Sequence, residues 1–188
     1  DSFLNGSLSV TATVGNDSVA FAIATTTPDI SSAITLNGQV IARRDSLFLT
    51  ILPSQFYMND VKWNIAGGSK IEYSDKYLNV QGVSLSSGLQ KISASSELQN
   101  NDKSLVITTE NLDIGQLGSW AGLAAYQPDG RINGTIRIDK IFKELYIAAN
   151  IKATGVLLGT DTIGTVNIIG SYDGTKKLAS LDPQTGIY

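Results

Sequence analysis

Apolar side chains recur at every second position along most of this chain. Leu8, Val10, Ala12 and Val14 open the pattern, followed by Val19, Phe21 and Ile23, then by Ile34, Leu36, Gly38, Val40 and Ala42. Shorter runs follow at Val61, Trp63 and Ile65, at Ile71 and Tyr73, at Leu78 and Val80, at Val83 and Leu85, at Ile92 and Ala94, and at Leu105 and Ile107. The second half adds Ile136 and Ile138, the long run Leu145, Ile147, Ala149, Ile151 and Ala153, and then Val166, Ile168, Gly170 and Tyr172. Alternate side chains of a strand point to opposite sides of a sheet. Each segment therefore presents one apolar and one polar face. That pattern fits antiparallel sheets with one wet side, not parallel sheets buried on both sides.

Turn-forming residues separate the segments: Gly67-Gly68, Ser74-Asp75, Gln81-Gly82, Asn100-Asn101-Asp102, Pro128-Asp129-Gly130 and Asp173-Gly174. They supply positive φ or short bonds from side chain to backbone. Their spacing of about ten residues is the rhythm of a meander or of stacked hairpins. Asn37-Gly38 leaves the apolar register unbroken and reads as mid-strand. One segment departs from the rhythm. From Leu112 to about Ala125, the residues Ile114, Leu117, Ala121 and Ala124 stand at helical spacing, with Trp120 beside them and Asn111 or Asp113 placed to cap. Gly115, Gly118 and Gly122 oppose a helix, each by ~1 kcal/mol against Ala. The spacing predicts a short helix over one end of the sheet. No linker is evident, so the chain reads as a single segment, residues 1–188, of all-β architecture.

Charged residues make up 16% of the chain, against ~25% in ordinary soluble domains. Net charge is −3, and the longest basic runs are the pairs Arg43-Arg44 and Lys176-Lys177, which read as solvated strand ends or turns. No nucleic-acid surface is expected from such a distribution. Cysteine is absent, which excludes a disulfide framework and a thiolate metal site. Histidine is absent too, so Ser-His and Cys-His nucleophilic pairs are impossible and a zinc site would need carboxylates alone. The nearest carboxylate pairs are Glu110 with Asp113, read as a helix cap, and Asp139 with Glu144, read as a turn; Asp161, Asp173 and Asp182 also stand in turn-like sequence. The expectation is a protein that is not an enzyme, with no metal and no cofactor. Sequons at Asn5, Asn16 and Asn133 mark surface turns. No apolar run reaches the ~18 residues of a membrane-spanning helix. With no leader and no initiator Met before Asp1, the chain reads as an excised or processed fragment whose anchor would lie outside it.

A family likeness rests on particular stretches. Residues 54–94 contain Ser54-Gln55-Phe56, Trp63-Asn64-Ile65, Ile71-Glu72-Tyr73, Leu78-Asn79-Val80, Val83-Ser84-Leu85 and Gln90-Lys91-Ile92-Ser93-Ala94. Later come Gly134-Thr135-Ile136-Arg137-Ile138, a long alternating strand, Ile163-Gly164-Thr165-Val166 and Gly170-Ser171-Tyr172-Asp173. Over most of residues 46–182 the chain resembles TamB, the translocation and assembly module inner-membrane component, in the long form of the Bacteroides and Flavobacterium group. That family is related to AsmA-like proteins and bridge-like lipid-transfer proteins. The resemblance implies a C-terminal TamB-like region, in a periplasmic protein anchored in the inner membrane by a helix outside this fragment. It implies an elongated antiparallel sheet folded into an open hydrophobic trough, a β-taco, to which the spacing adds one short helix near residues 112–124. It implies phospholipid acyl chains and an outer-membrane barrel protein of the BamA type as partners, and roles in phospholipid transport to, and protein assembly in, the outer membrane. The motifs are spaced apolar residues, a Trp and a Gly, far less specific than a metal-ligand cluster.

A lined trough suits lipid physically. An acyl chain of ~16 carbons crossing water would expose ~12 kcal/mol of apolar surface, and an apolar wall removes most of that cost without tight binding at any one point. Trp63, Ile65, Tyr73, Ile136, Ile138, Ile147, Ile151, Val166 and Ile168 are the candidate groove residues. Each fits the core of a closed β-sandwich as well, and Trp63 and Tyr73 fit core anchors. Two further readings stay open: a module that pairs with client barrel strands by β-augmentation, and a plain β-sandwich scaffold or adhesion module.

Overall fold

Long alternating strands need neighbours for their backbone N–H and C=O groups, and the fold supplies them by antiparallel pairing. The computed structural model describes residues 7–26, 33–58, 60–99 and 102–186; Asn5 and the turn at Asn100-Asn101 lie outside these. In chain order the strands are β1 (Ser7–Val14), β2 (Ser18–Thr26), β3 (Ile34–Arg43), β4 (Ser46–Ile51), β5 (Ser54–Met58), β6 (Val61–Ile65), β7 (Ser69–Ser74) and β8 (Leu78–Gln81). There follow β9 (Val83–Ser87), β10 (Gln90–Gln99), β11 (Asp102–Asp113), β12 (Pro128–Asp139), β13 (Tyr146–Leu158), β14 (Asp161–Asp173) and β15 (Leu178–Gly186). A short helix, α1 (Ile114–Trp120), and a 3₁₀ turn at Ala124–Tyr126 sit between β11 and β12. The protein is all-β, antiparallel and open, not closed into a barrel, with this single short α-helix among the described residues.

The chain forms two compact units. The first ends at Gly88 and takes in Ala94–Ser96; the second comprises Leu89–Ser93 and the chain from Glu97 onward. No linker separates them in sequence, because β10 contributes residues to both.

In the first unit, β1 pairs with β2 and β2 with β3. Beyond β3 the strands bend. β3 pairs with β4 from Gly38↔Ile51 to Arg43↔Ser46, and with β5 at Ile34↔Phe56 and Thr35↔Gln55. So β4 and β5 are two halves of one run with an extra residue at Leu52-Pro53. The next run is β6 with β7, and the next β8 with β9, bent at Ala66-Gly67-Gly68 and at Gly82. A β-bulge inserts such a residue and bends its strand. Stacked in adjacent strands, these bulges form a bend line across the sheet. Proline is tolerated in a bulge because no ladder N–H is needed there.

A bend frees backbone carbonyls, and buried serines take them up. The Ser54 hydroxyl donates to the Leu52 carbonyl at 2.8 Å and accepts from the Asn37 N–H at 2.9 Å. Ser69 is fully buried, and its hydroxyl lies 3.1 Å from the Ala66 carbonyl oxygen and 3.0 Å from that of Gly82. One side chain thus ties two bent strands together. Further along β3, Gly38 stands opposite Phe21, and a Cβ there would fall 2.8 Å from the ring's Cε1. Glycine here makes room for the Phe21 ring, and Asn37-Gly38 runs through mid-strand, paired on both sides.

The second unit is a simple meander, β10 through β15 in order. It has its own bend line. Registers shift between Thr109 and Leu112 on β11, between Asp129 and Arg131 on β12, and between Ala153 and Leu157 on β13. Asn111 (φ 52°), Gly130 (φ 128°), Gly155 (φ 60°) and Gly164 (φ 87°) occupy these points on four successive strands. Positive φ is the left-handed region that Gly, and less readily Asn, enters at low cost. Three of the turns expected from sequence are therefore bends inside long runs: Gly67-Gly68, Gln81-Gly82 and Pro128-Asp129-Gly130. A bulge and a hairpin turn ask for the same residue types, so composition does not separate them. Asp182 likewise lies within β15, opposite Ile169, not in a turn.

Removing the Ser69 hydroxyl leaves the Ala66 and Gly82 carbonyls without that donor. Ser69→Ala is expected to cost about 0.5–1.5 kcal/mol, read as a lower urea midpoint at unchanged slope. Ser9→Ala, on fully exposed β1, is expected to change stability by about 0.5 kcal/mol or less. Equal effects at the two positions would remove the bend-line role.

Candidate functional site

Residues directly opposite in antiparallel strands share a sheet face, so the registers assign every candidate to a side. In the second unit four rows cross β11 to β15. One runs Leu105, Ile138, Ile147, Tyr172, Ala179, and the next Ile107, Ile136, Ala149, Gly170, Leu181. The third runs Thr109, Gly134, Ile151, Ile168, Pro183, and the fourth Leu112, Ile132, Ala153, Val166, Thr185. All six candidates of this unit, Ile136, Ile138, Ile147, Ile151, Val166 and Ile168, lie on this one face. Five strands at ~4.8 Å spacing make the band ~19 Å wide. The opposite face is mainly polar, with Asn133, Thr135, Arg137, Asn150, Lys152, Asn167 and Ser171; Val106, Tyr146, Ala148, Ile169 and Leu178 are among its apolar members.

The three candidates of the first unit also share a face. Trp63 pairs with Phe56, Phe56 with Ile34, Ile65 with Leu85, and Tyr73 with Leu47. Their packing differs. Trp63 is 1% exposed and stacked on Phe56, ring centroids 6.4 Å apart and planes at 9°. It sits as a core anchor. Tyr73 is 48% exposed, and Ile65 is half-buried.

Half-burial also describes Ile136, Ile138, Ile147, Ile151, Val166 and Ile168. The interior of a closed sandwich seals such residues. Only one end of this face is sealed, where Leu112, Ala153 and Val156 are 5–8% exposed. At that end α1 packs on β12. A Cβ on Gly130 would lie 3.0 Å from Ile114 Cδ1, and one on Gly115 would lie 2.9 Å from the Pro128 carbonyl oxygen. Gly115 and Gly118, which weaken α1 as a helix, let it approach Pro128 closely, whereas Gly122 lies past its end at φ 72°. The sequence picked six residues of this face; the registers add Leu105, Ile107, Ile132, Ala149, Ala153 and Tyr172. Their signal, the dyad alternation, was already in the sequence, but the side each faces depends on pairing across bulges.

The carboxylates Asp113 and Glu110 are committed to structural contacts. Asp113 caps α1, accepting from the Gln116 N–H at 2.9 Å, and pairs with Arg131. Glu110 pairs with Lys91 at 3.5 Å. Among the described residues no three Asp or Glu side chains gather where they could hold a metal ion, and no helix is long and apolar enough to cross a membrane. Two recesses in the first unit hold none of the nine candidates. One of about 630 Å³ is lined by Asp17, Arg43, Arg44 and Phe48 among others, and one of about 190 Å³ by Phe48, Lys70, Glu72, Asn79 and Gln81 among others.

Partial burial pushes the Asp113 carboxyl up, but the Arg131 guanidinium and the Gln116 and Gly115 amides outweigh it and hold it below the ordinary carboxylate range. The group is ionised more readily folded than unfolded. Its contribution is present above the unfolded value, about 4, and is lost as pH falls through the folded value. Protection of the α1 amides from hydrogen exchange is expected to drop in acid while β13 amides keep theirs. Asp113→Ala should give the same local loss at neutral pH, at about 0.5–2 kcal/mol for a lost cap. Compared with protein-family models, curated proteins and solved structures, the chain matches none.

Proposed function

We propose that this chain is a non-catalytic segment of a cell-envelope protein whose apolar sheet faces hold lipid acyl chains in passage. The observation that carries the reading is the second unit's ordered apolar face, half-exposed along its rows of Ile and Val. An apolar band left partly open to water is costly to keep unless something apolar visits it. Its chemistry suits conduction. Ile, Val, Leu and Ala repeat with no charged residue in the four rows, so an acyl chain meets many weak and similar contacts. Each CH₂ withdrawn from water contributes ~0.8 kcal/mol, with no one residue required to grip. The resemblance to TamB, stated on sequence alone, gives this reading its setting: the periplasm, phospholipid as cargo, and an outer-membrane barrel of the BamA type at the far end.

A second reading has one observation in its favour. Strand β1 is exposed along its whole length, carries no charge and no proline, and pairs only with β2 among the described residues. Such an edge accepts an added strand, as a β-augmentation chaperone would need.

Ile147→Arg separates these readings from a closed core. On an open face the guanidinium reaches water, so stability should fall by about 1 kcal/mol or less, while lipid that co-purifies with the chain, counted by native mass spectrometry, disappears. In a sealed core the same charge would cost several kcal/mol and unfold the chain. A photo-crosslinker at Ile138 should trap lipid. Polypeptide adducts at β1 with none at Ile138 would favour strand addition instead.

A further inference from the structure

The two ends of the second unit's strands differ in charge. The β12–β13 turn and the β14–β15 turn fall at the same end, since Asp139 pairs with Tyr146, Tyr146 with Asp173 and Asp173 with Leu178. These turns carry Lys140, Lys143, Lys176 and Lys177, all exposed. The acids beside them are partly withdrawn. Asp173 accepts from the Thr175 and Lys176 N–H groups at 3.0 and 3.2 Å and pairs with Lys176 Nζ at 3.4 Å. Asp139 Oδ1 is buried, and Glu144 is exposed. Among the described residues no carboxylate forms an ion pair with Lys140, Lys143 or Lys177. The opposite end carries Glu110, Asp113, Asp129 and Asp161 against Lys91 and Arg131, with Lys91 paired to Glu110 and Arg131 to Asp113.

Apolar side chains stand among these lysines. Phe142 is 37% exposed, Tyr146 39% and Leu178 60%. Leu123, Tyr126 and Leu158 are exposed at the opposite end, so charge is what distinguishes the two. An aromatic ring and a leucine set between lysines match the headgroup layer of a membrane, where rings sit at the boundary and ammonium groups reach anionic headgroups. The chain as a whole carries −3 and would be repelled by an anionic surface in most orientations. Of the two ends of the second unit, this one presents the excess of positive charge, with apolar groups beside it.

We propose that the β12–β13 and β14–β15 turns dock the second unit on an anionic lipid surface, with Phe142 and Leu178 at headgroup depth. This goes beyond the acyl-chain reading and holds or falls separately from it. The test is sedimentation of the full chain with vesicles of phosphatidylglycerol and, in parallel, of phosphatidylcholine. Binding is expected to the first only, and to weaken as salt is added. Each lysine is expected to contribute about fivefold in affinity, so K140Q/K143Q/K176Q/K177Q should abolish it. The charge-matched variant K62Q/K70Q/K91Q/K152Q should bind as the parent does, and F142S should weaken binding without changing its salt dependence. Circular dichroism checks that each variant folds. Equal binding to phosphatidylcholine, no binding to phosphatidylglycerol, or equal losses in the two quadruple variants would each overturn the proposal. Loss of bound acyl chains in Ile151→Arg, in the third row of the face and away from these turns, with vesicle docking unchanged is the expected sign that the two sites are distinct.

Discussion

A strand that bends by adding one residue moves every later side chain to the other face. That constraint governs both units. Leu47, Leu49 and Ile51 face one side of the first sheet, and after the bulge at Leu52-Pro53 it is Phe56, an even position, that faces the same side. Leu78 and Val80 give way to Val83 and Leu85 across Gly82. In the second unit Leu105 and Ile107 give way to Leu112, and Ala153 to Val156. Each slip in the hydrophobic phase coincides with a bulge that cancels it. The apolar face stays on one side only because neighbouring strands bend together. Ser54 and Ser69 hold the carbonyls that the bends release.

The functional consequences follow from that geometry. Bends that preserve one apolar face let each unit's strands change direction while their apolar side chains stay on one side. The side chains then pack partly against their own row neighbours and stay half-exposed. Trp63 marks where packing closes completely, stacked on Phe56 beside the bend. Helix α1 closes the face of the second unit at one end, held by the Asp113 cap and its pairing with Arg131. What remains accessible is a band of aliphatic groups, chemically uniform and uncharged, suited to many weak contacts instead of one strong one.

Particular residues show how far the site was legible. Ile138 and Trp63 look alike in sequence, each the apolar member of an alternating run. One is half-exposed on an open face, and the other is sealed beneath its neighbours. Alternation tells which side a residue takes relative to its own strand. It does not tell what lies above that side. Gly82 and Gly130 were legible as places where the chain changes direction, but a bulge and a hairpin both draw on glycine's positive φ. The helix between β11 and β12 was legible from its spacing and its cap, while the reason for its glycines lay in a distant contact with Pro128.

The sequence by itself determined the strand content, the antiparallel class, the short helix and the side-chain types available for chemistry. These depend on local periodicity, on turn residues, and on the absence of Cys and His, all properties of near neighbours along the chain. Only the tertiary structure decided which strands bend instead of turning, which apolar residues are sealed, and that four lysines and Phe142 gather at one end of the second unit. Those outcomes depend on pairing between residues far apart in the chain, through hydrogen-bond registers that one-residue bulges shift and that no local pattern encodes.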